Sequence, residues 1–541
     1  MSAQLNPAVI RTICAILLDD CLDAGVLSRL AQTCRAFFEP TIDILWHTIP
    51  SLAMLAYLLP SDTWRVADGQ GYLKTISFER ALVPSDFVRF QVYTHRVKAF
   101  GRLPGTFWPD SRYRLSRDAV AALYDSRPTP CLFPNLQRMQ LHAELVQYAP
   151  MLLNPNLRTV SLRMHNVGQE PGNLRTLERI PMECPQLTTL VINCNSKAKV
   201  FTDTIETLAS GLSSIVVFEL LDSPISAAVL AVLANSANLR RLCIAPDKDS
   251  IPSEMASSLI NKDRAFGKLR ELVLHVGPLE HATQFIPYVT SSRLVGLVIS
   301  YRTPATAEEI ESVFKAVLSH PSRRKLRCLK VMTRDTGISM DPLMDLPTFT
   351  LTSKSLLPLL KLRLETLVLR GSPVDIDDDT LETMAISWPE LTRLTLGVDM
   401  RLGDRLPPRA TLLSLIPFIE NCPNIMYIGY RMQTDVLREE GEPVHGYGRP
   451  GNGAMTEGEL EMEVGDSRIH NSIEVASFLS DICPTLWYIG TLWRNAEDID
   501  EDESDADVSD EEDMYNKWDK VTDYLPHFVK VRQQERDGEL Y

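Results

Sequence analysis

The chain has 541 residues, of which 45% are hydrophobic and 23% are charged, so most of it is expected to fold, and into more than one ordinary core. Residues 497–513 hold twelve Asp or Glu and no Lys or Arg, so the net charge of the rest is −15 + 12 = −3. A nearly neutral body lacks the basic excess that binding to a phosphate backbone demands, and nucleic acid is excluded as an expected partner.

The cysteines and the hydropathy pattern also exclude several classes of protein. Ten cysteines are scattered from Cys14 to Cys483 without a CxxC pair, which predicts reduced thiols and neither a disulfide framework nor a metal site. The N-terminus has no basic stretch followed by an apolar core, and the most apolar window, residues 216–233, is broken by Glu219, Asp222 and Pro224. We therefore expect no export signal, no membrane span, and a cytoplasmic or nuclear location.

The N-terminal segment is predicted to form short helices joined by acidic turns. Ile10, Ile13 and Leu17 mark one apolar stripe at helical spacing, and a second runs from Leu27 to Cys34. Helices of this size bury little core, so such a segment tends to need a partner or a neighbouring domain.

This segment resembles the F-box family in the form common among fungal proteins. The matching features are Pro7 with the apolar residues after it, the stretch 26–38 and the closing Ile44-Leu45-Trp46. The resemblance implies an F-box at residues 1–60 that binds the Skp adaptor of a cullin-based ubiquitin ligase. On that reading, the residues divided between the adaptor interface and the module's own core are Pro7, Ile10, Ile13, Leu17, Leu27, Leu30, Cys34, Phe37 and Trp46. The alternative is a cap that closes the first unit of a repeat array.

Residues 61–130 are assigned to a linker and to the N-terminal cap of the repeat region. Residues 131–495 contain a repeated strand-like phrase, in which the first, fourth and sixth positions are apolar. The strong copies begin at Leu187, Leu239, Leu269, Leu294, Leu326, Leu364 and Leu391. Segments with helical spacing lie between them, and three junctions begin with Cys-Pro, at Cys184, Cys422 and Cys483.

The strand-turn-helix unit resembles the leucine-rich repeat. Leu187 to Asn195 fits the full LxxLxLxxN phrase, and most other copies lack the asparagine. No unit buries its apolar face alone, so stacked units are expected to form an α/β solenoid with parallel strands inside and helices outside. A doubly wound α/β domain is the alternative architecture.

The residues between the buried strand positions are expected to form an exposed sheet face, because side chains alternate across a strand. This face has an apolar central row flanked by basic residues, which suits a protein segment. The predicted target-binding residues are Arg241, Val273, Lys330, Arg370 and Arg393.

The C-terminal third contains three segments of unusual composition. Residues 430–470 are rich in Gly and Glu and are predicted to be a flexible insertion in the array. Residues 496–513 are predicted to be a disordered acidic tract, in which Ser504 and Ser509 resemble sites of acidophilic kinases. The tail at 514–541 has enough apolar residues to dock back onto the solenoid.

The sequence carries no GxSxG elbow, Walker-type loop or HExxH motif, and its ten histidines have no metal-like spacing. The resemblance to the F-box and to the leucine-rich repeat implies a substrate-recognition subunit of an SCF-type ubiquitin ligase that binds the Skp adaptor, the cullin and a protein target, and we expect neither catalysis nor a cofactor. Two alternatives stand beside it. One is a leucine-rich scaffold unconnected to ubiquitination, and the other is an enzyme whose catalytic groups converge from distant repeats.

Overall fold

A computed structural model describes residues 7–21, 24–68, 74–101, 113–164, 171–246, 265–334, 345–435, 438–439, 442–443, 453–495 and 505–537. The chain divides into two compact units, Met1–Ala245 and Pro246–Tyr541. Each unit is described by itself.

Three helices open the first unit and pack around a small core of their own. They are α1 (Pro7–Cys21), α2 (Ala24–Ala31) and α3 (Arg35–Leu45). Ile10, Cys14 and Leu27 are buried between them, and the Cys14 thiol lies 3.4 Å from the Thr41 hydroxyl. The apolar spacing read from the sequence therefore places one side of each helix in a common core.

The remainder of the first unit alternates strands with helices. Its strands are β1 (Thr48–Ile49), β2 (Trp64–Asp68), β3 (Lys74–Phe78), β4 (Ala99–Phe100), β5 (Tyr113–Leu115), β6 (Arg138–His142), β7 (Thr159–Met164), β8 (Thr189–Cys194), β9 (Val217–Pro224) and β10 (Arg241–Ala245). Its further helices are α4 (Ala53–Ala56), α5 (Phe90–Tyr93), α6 (Arg117–Ser126), α7 (Pro171–Glu183), α8 (Lys199–Gly211) and α9 (Ala227–Ala234). The main sheet has the order β1-β4-β6-β7-β8-β9-β10 with parallel pairing, and β2, β3 and β5 form a separate small sheet.

The second unit continues the same alternation. Its strands are β11 (Glu271–Val276), β12 (Gly296–Tyr301), β13 (Cys328–Thr333), β14 (Leu351–Thr352), β15 (Thr366–Leu369), β16 (Val374–Asp375), β17 (Arg393–Leu396), β18 (Tyr427–Tyr430), β19 (Arg438–Glu439), β20 (Glu442–Pro443), β21 (Leu460–Gly465) and β22 (Leu486–Thr491). Its helices are α10 (Glu280–Phe285), α11 (Ala307–Ser319), α12 (Leu346–Phe349), α13 (Ser353–Leu356), α14 (Asp378–Ser387), α15 (Leu415–Asn421), α16 (Ser472–Ile482) and α17 (Asp505–Asp537). The main sheet has the parallel order β11-β12-β13-β15-β17-β18-β21-β22.

The register of these strands explains why the leucine phrase recurs. Leu272, Leu297, Leu329 and Leu367 stand side by side on successive strands, and all are buried. Helices cover this row; α11, for example, starts with a capping box between Thr306 and Glu309. The prediction of an α/β leucine-rich-repeat solenoid is confirmed in both units.

Three predicted boundaries need correction. The main sheet begins at Thr48 and not near residue 131, because Thr48 and Ile49 pair with Ala99 and Phe100. The predicted flexible insertion at 430–470 contains β21, whose alternating Leu460, Met462 and Val464 are buried in the sheet.

The third correction concerns the acidic tract predicted at 496–513. Its residues 505–513 are helical, and within this helix Asp510 pairs with Arg468, and Glu511 with Arg401 and Arg494. The tract's other residues, including Ser504, lie outside the described residues. Ser509 lies in the helix, and its side chain is also outside the described set.

Candidate protein-interaction surfaces

The first helix carries an exposed apolar stripe. Val9, Ile13 and Ile16 are 47%, 37% and 52% exposed. Their spacing of four and three residues places them on one side of α1, while Ile10 and Cys14 face the helical core. The stripe is thus an apolar surface that the core of the N-terminal helices does not use.

The structure separates the residues that sequence reasoning assigned jointly to adaptor binding and core. Ile10 and Leu27 are buried, and Leu17, Leu30 and Phe37 pack against them, so these five hold the helices together. Of the rest, Ile13 lies in the exposed stripe and Cys34 is exposed at the start of α3.

Trp46 packs against Tyr93, with the ring centroids 4.8 Å apart, and Pro7 begins α1 with a side chain outside the described set. Val9 and Ile16 were not among the predicted site residues. Their helical spacing with Ile13 is the sequence signal that points to them.

Ion pairs join the N-terminal helices to the solenoid of the first unit. Arg96 donates to Glu39 across 2.7 Å and also pairs with Asp43. The Arg96 side chain is only 10% exposed, whereas Glu39 and Asp43 are 63% and 41% exposed, so the pairs are shielded from solvent on the arginine side only. The exposed stripe on α1 therefore belongs to a helical module that these ion pairs attach to the solenoid of the first unit.

The predicted target-binding residues of the second unit lie on the exposed face of its sheet. Val273 and Lys330 are half-buried on one row, separated by Val298 on the strand between them. Arg370 and Arg393 meet at Tyr427. Arg241 belongs to the first unit, where its Nε donates to Glu219 across 2.7 Å.

Tyr427 organises the two arginines of the second unit. The guanidinium carbon of Arg393 lies 3.8 Å from the centroid of the Tyr427 ring, a cation–π contact. Arg370 donates to Glu463 across 2.5 Å and to the Tyr427 hydroxyl across 3.2 Å. Burial raises the pKa of Tyr427, and its hydrogen bond to Glu463 adds to that effect, so the phenol stays protonated.

All three predicted arginines thus have partners within the chain. Burial lowers the pKa of Arg370, but the Glu463 carboxylate outweighs burial and keeps the guanidinium charged. The sequence did not indicate Tyr427 or Glu463 as site residues. The repeat phrase is weak at β18, which contains Tyr427, and β21, which contains Glu463, lies in the segment predicted to be a flexible insertion. The face they form is charge-balanced and is not a basic patch.

Within the described residues, no cluster of His, Cys, Asp and Glu is arranged to hold a metal ion. No helix in the described part of the chain has both the length and the apolar character needed to cross a membrane.

Fold and surfaces together define a leucine-rich-repeat solenoid protein with a small helical module at its N-terminal end. Among solved structures, the chain is similar to the yeast complex of Rad7 and Elc1, with a TM-score of 0.39 and 12% identity over 69% of this chain and 81% of that chain. It is also similar to an internalin from Listeria monocytogenes, with a TM-score of 0.28 and 11% identity over 59% of this chain and 90% of that chain. No family model and no curated protein matches the sequence.

Proposed function

We propose that this protein is the substrate-recognition subunit of a cullin-based, SCF-type ubiquitin ligase. Its N-terminal helices bind the Skp adaptor, which connects it to the cullin, and the exposed sheet face of the solenoid binds a target protein. The observation that carries the proposal is the exposed stripe of Val9, Ile13 and Ile16 on a module whose sequence resembles the F-box.

The residues that form the core of the module differ from those in its exposed stripe, and this separation supports the proposal. Ile10, Cys14 and Leu27 form its core, so the three stripe residues are not needed to hold it together. Contiguous exposed apolar residues are characteristic of interaction sites, because burying them against a partner removes apolar surface from water. An adaptor that covers α1 supplies that partner.

On this proposal the protein has no active site of its own. It acts by proximity, since holding a target beside the ligase machinery raises the effective concentration of the target. The open sheet face suits this role, because an extended surface accommodates a protein segment.

The test is capture of purified Skp adaptor and cullin by the tagged full chain and by the double variant Ile13→Asp, Ile16→Asp. Two carboxylates placed in an apolar interface must be desolvated, so we expect adaptor affinity to fall by roughly a hundredfold or more, and cullin capture with it. The thermal midpoint should change little, because both side chains are exposed.

The matched control is Val200→Asp, which changes an exposed apolar residue on α8 of the same unit and should leave capture intact. If the wild-type chain captures no adaptor, or the double variant captures it as well as the control does, the ligase proposal fails. The protein would then be a leucine-rich scaffold unconnected to ubiquitination.

A further inference from the structure

The C-terminal part of the sheet contains two copies of one phrase. Cys-Pro-x-x-x-Tyr-Ile-Gly occurs at 422–429 and again at 483–490. The two copies supply β18 and β22, which lie on either side of β21. Tyr427 and Tyr488 therefore hold equivalent positions on strands that flank the same neighbour.

The first tyrosine has a cation on its ring. Arg393 stands directly beside Tyr427 in the register of β17 and β18, and its guanidinium stacks on the ring at 3.8 Å. This contact shows how a tyrosine of this phrase holds an arginine from its neighbour.

The second tyrosine has a carboxylate where the first has an arginine. The residue beside Tyr488 on β21 is Glu461, which also stands beside Tyr427 on the other side. Tyr488 is 49% exposed, and the adjacent Trp487 is 58% exposed, with the two ring centroids 5.9 Å apart. An exposed pair of aromatic rings thus lies next to a negative charge.

The carboxylates of β21, together with that of Glu459 immediately before it, are arranged in a row along the exposed face. Glu459, Glu461 and Glu463 alternate with the buried residues Leu460 and Met462. Arg370 neutralises Glu463, whereas the side-chain carboxylates of Glu459 and Glu461 form no hydrogen bond or ion pair with any residue in the described part of the chain.

Glycines leave room for this row. A side chain at Gly429 or Gly490 would place its Cβ 3.3 Å or 3.1 Å from the Glu463 side chain. The same Cβ atoms would lie 3.4 Å from the Tyr427 ring and 3.2 Å from the Tyr488 ring, so the two glycines give each ring room to lie beside the Glu463 side chain.

We propose that Glu459, Glu461, Trp487 and Tyr488 form an acidic-aromatic surface that binds a basic segment of the target protein. An arginine or lysine of that segment stacks on the Tyr488 ring and pairs with Glu461, as Arg393 stacks on Tyr427. This deepens the proposed function and rests on it for the identification of the bound protein as a ligase target. Charge complementarity selects the occupant, because two carboxylates without partners beside two exposed rings favour a cation and disfavour an acidic segment.

The test uses a fluorescein-labelled peptide of alternating arginine and glycine as the probe, with the full chain, and reads its affinity by fluorescence anisotropy. Tyr488→Ala should weaken binding roughly fivefold, the loss expected for one cation–π contact, and Tyr488→Phe, which keeps the ring, should retain most of the affinity. Glu461→Gln should weaken binding by a similar factor.

Two matched controls separate this surface from the general attraction of an acidic protein for a basic peptide. Tyr524→Ala removes an exposed tyrosine of α17, and Glu382→Gln removes one exposed negative charge from α14. Equal affinities for Tyr488→Ala and Tyr524→Ala, or for Glu461→Gln and Glu382→Gln, would overturn the proposal.

A second readout locates the probe. Hydrogen exchange of the full chain should slow in residues 486–491 when the peptide is added, and unchanged exchange there would contradict the assigned surface. Adaptor capture measured on the same variants keeps the two proposals apart. Loss of peptide binding with normal adaptor capture is expected for Tyr488→Ala, whereas a chain that binds the peptide through Tyr488 but captures no adaptor refutes only the ligase assignment.

Discussion

His320 is a buried side chain whose hydrogen bonds determine its charge. Its Nε2–H donates to the Val289 carbonyl across 2.5 Å, and its Nδ1 accepts from the Ser322 amide across 3.2 Å. Burial lowers the pKa of His320, and the bond to Val289 opposes this only in part. The folded protein therefore holds a neutral imidazole that joins the turn after α11 to the preceding repeat.

This arrangement predicts an acid-sensitive contribution to stability. Because the pKa of His320 is lower in the folded state than its usual value of about 6.5 in an unfolded chain, the unfolded state takes up a proton first as the pH falls. The contribution of His320 to the free energy of unfolding is thus fully present above the unfolded-state pKa of about 6.5, and it decreases as the pH falls below that pKa.

The measurement is the urea midpoint at neutral and at mildly acidic pH. The wild type should lose more stability on acidification than His320→Gln, which cannot titrate. His527→Gln, which removes an exposed histidine, should behave like the wild type. A His320→Gln variant with the same acid dependence as the wild type would show that another group is responsible.

At the scale of elements, the last helix closes the end of the repeat array. Met514, Trp518, Val521 and Leu525 form a buried stripe on α17, and the Trp518 Nε1–H donates to the Ser467 carbonyl across 2.9 Å. Solenoids need such terminal caps, because the last repeat otherwise exposes an apolar face. The prediction that the tail carries enough apolar residues to dock onto the solenoid agrees with this arrangement.

Charged contacts anchor both ends of this helix. Arg532 and Arg536 lie 3.5 Å and 3.6 Å from the buried carboxylate of Asp481, and at the acidic end Asp510 pairs with Arg468. The pair of Asp510 and Arg468 is exposed and contributes little, whereas Asp481 is buried and depends on its two arginines for neutralisation.

We predict that Trp518→Ala lowers the free energy of unfolding by about 3–5 kcal/mol, the usual cost of removing a large buried aromatic side chain. The freed helix should also become sensitive to protease between residues 505 and 537, which limited proteolysis with mass analysis measures. Tyr524→Ala, on the exposed side of the same helix, should change either quantity only slightly. Similar effects from both variants would show that the helix does not act as a cap.

At the scale of the whole molecule, the N-terminal helices and the first strands belong to one compact unit. β1 begins three residues after α3 ends, and Leu52 and Leu55, which follow β1, are buried. The boundary at residue 60, which the resemblance to the F-box implied, therefore cuts through the solenoid of the first unit. A separable module would have to end before Trp46, which packs on Tyr93.

Two truncations test this boundary. A chain starting at Trp46 keeps β1 and should remain folded and monodisperse in size-exclusion chromatography while losing adaptor capture. A chain starting at residue 61 removes the first strand and the buried leucines, so it should aggregate or melt at a lower temperature. Equal stability of the two chains would mean that β1 is dispensable and that residue 60 is a true boundary.

The sequence by itself determined the repeat and its buried positions. The spacing of Leu294, Leu297 and Ile299 already encodes a strand with one buried side, because alternation and helical periodicity are local properties of the chain. The same holds for the helical form of the N-terminal segment, which the apolar spacing of Ile10, Ile13 and Leu17 predicts.

Only the tertiary structure decided which polar groups meet and which apolar groups remain exposed. Arg370 and Glu463 are 93 residues apart in the chain, and no local pattern pairs them. Ile10 and Ile13 look alike in the sequence, yet one is buried and the other lies in the exposed stripe. The physical reason is that periodicity shows only which side of an element is apolar. Which side chains contact each other depends on how strands that are distant in the sequence align in the sheet.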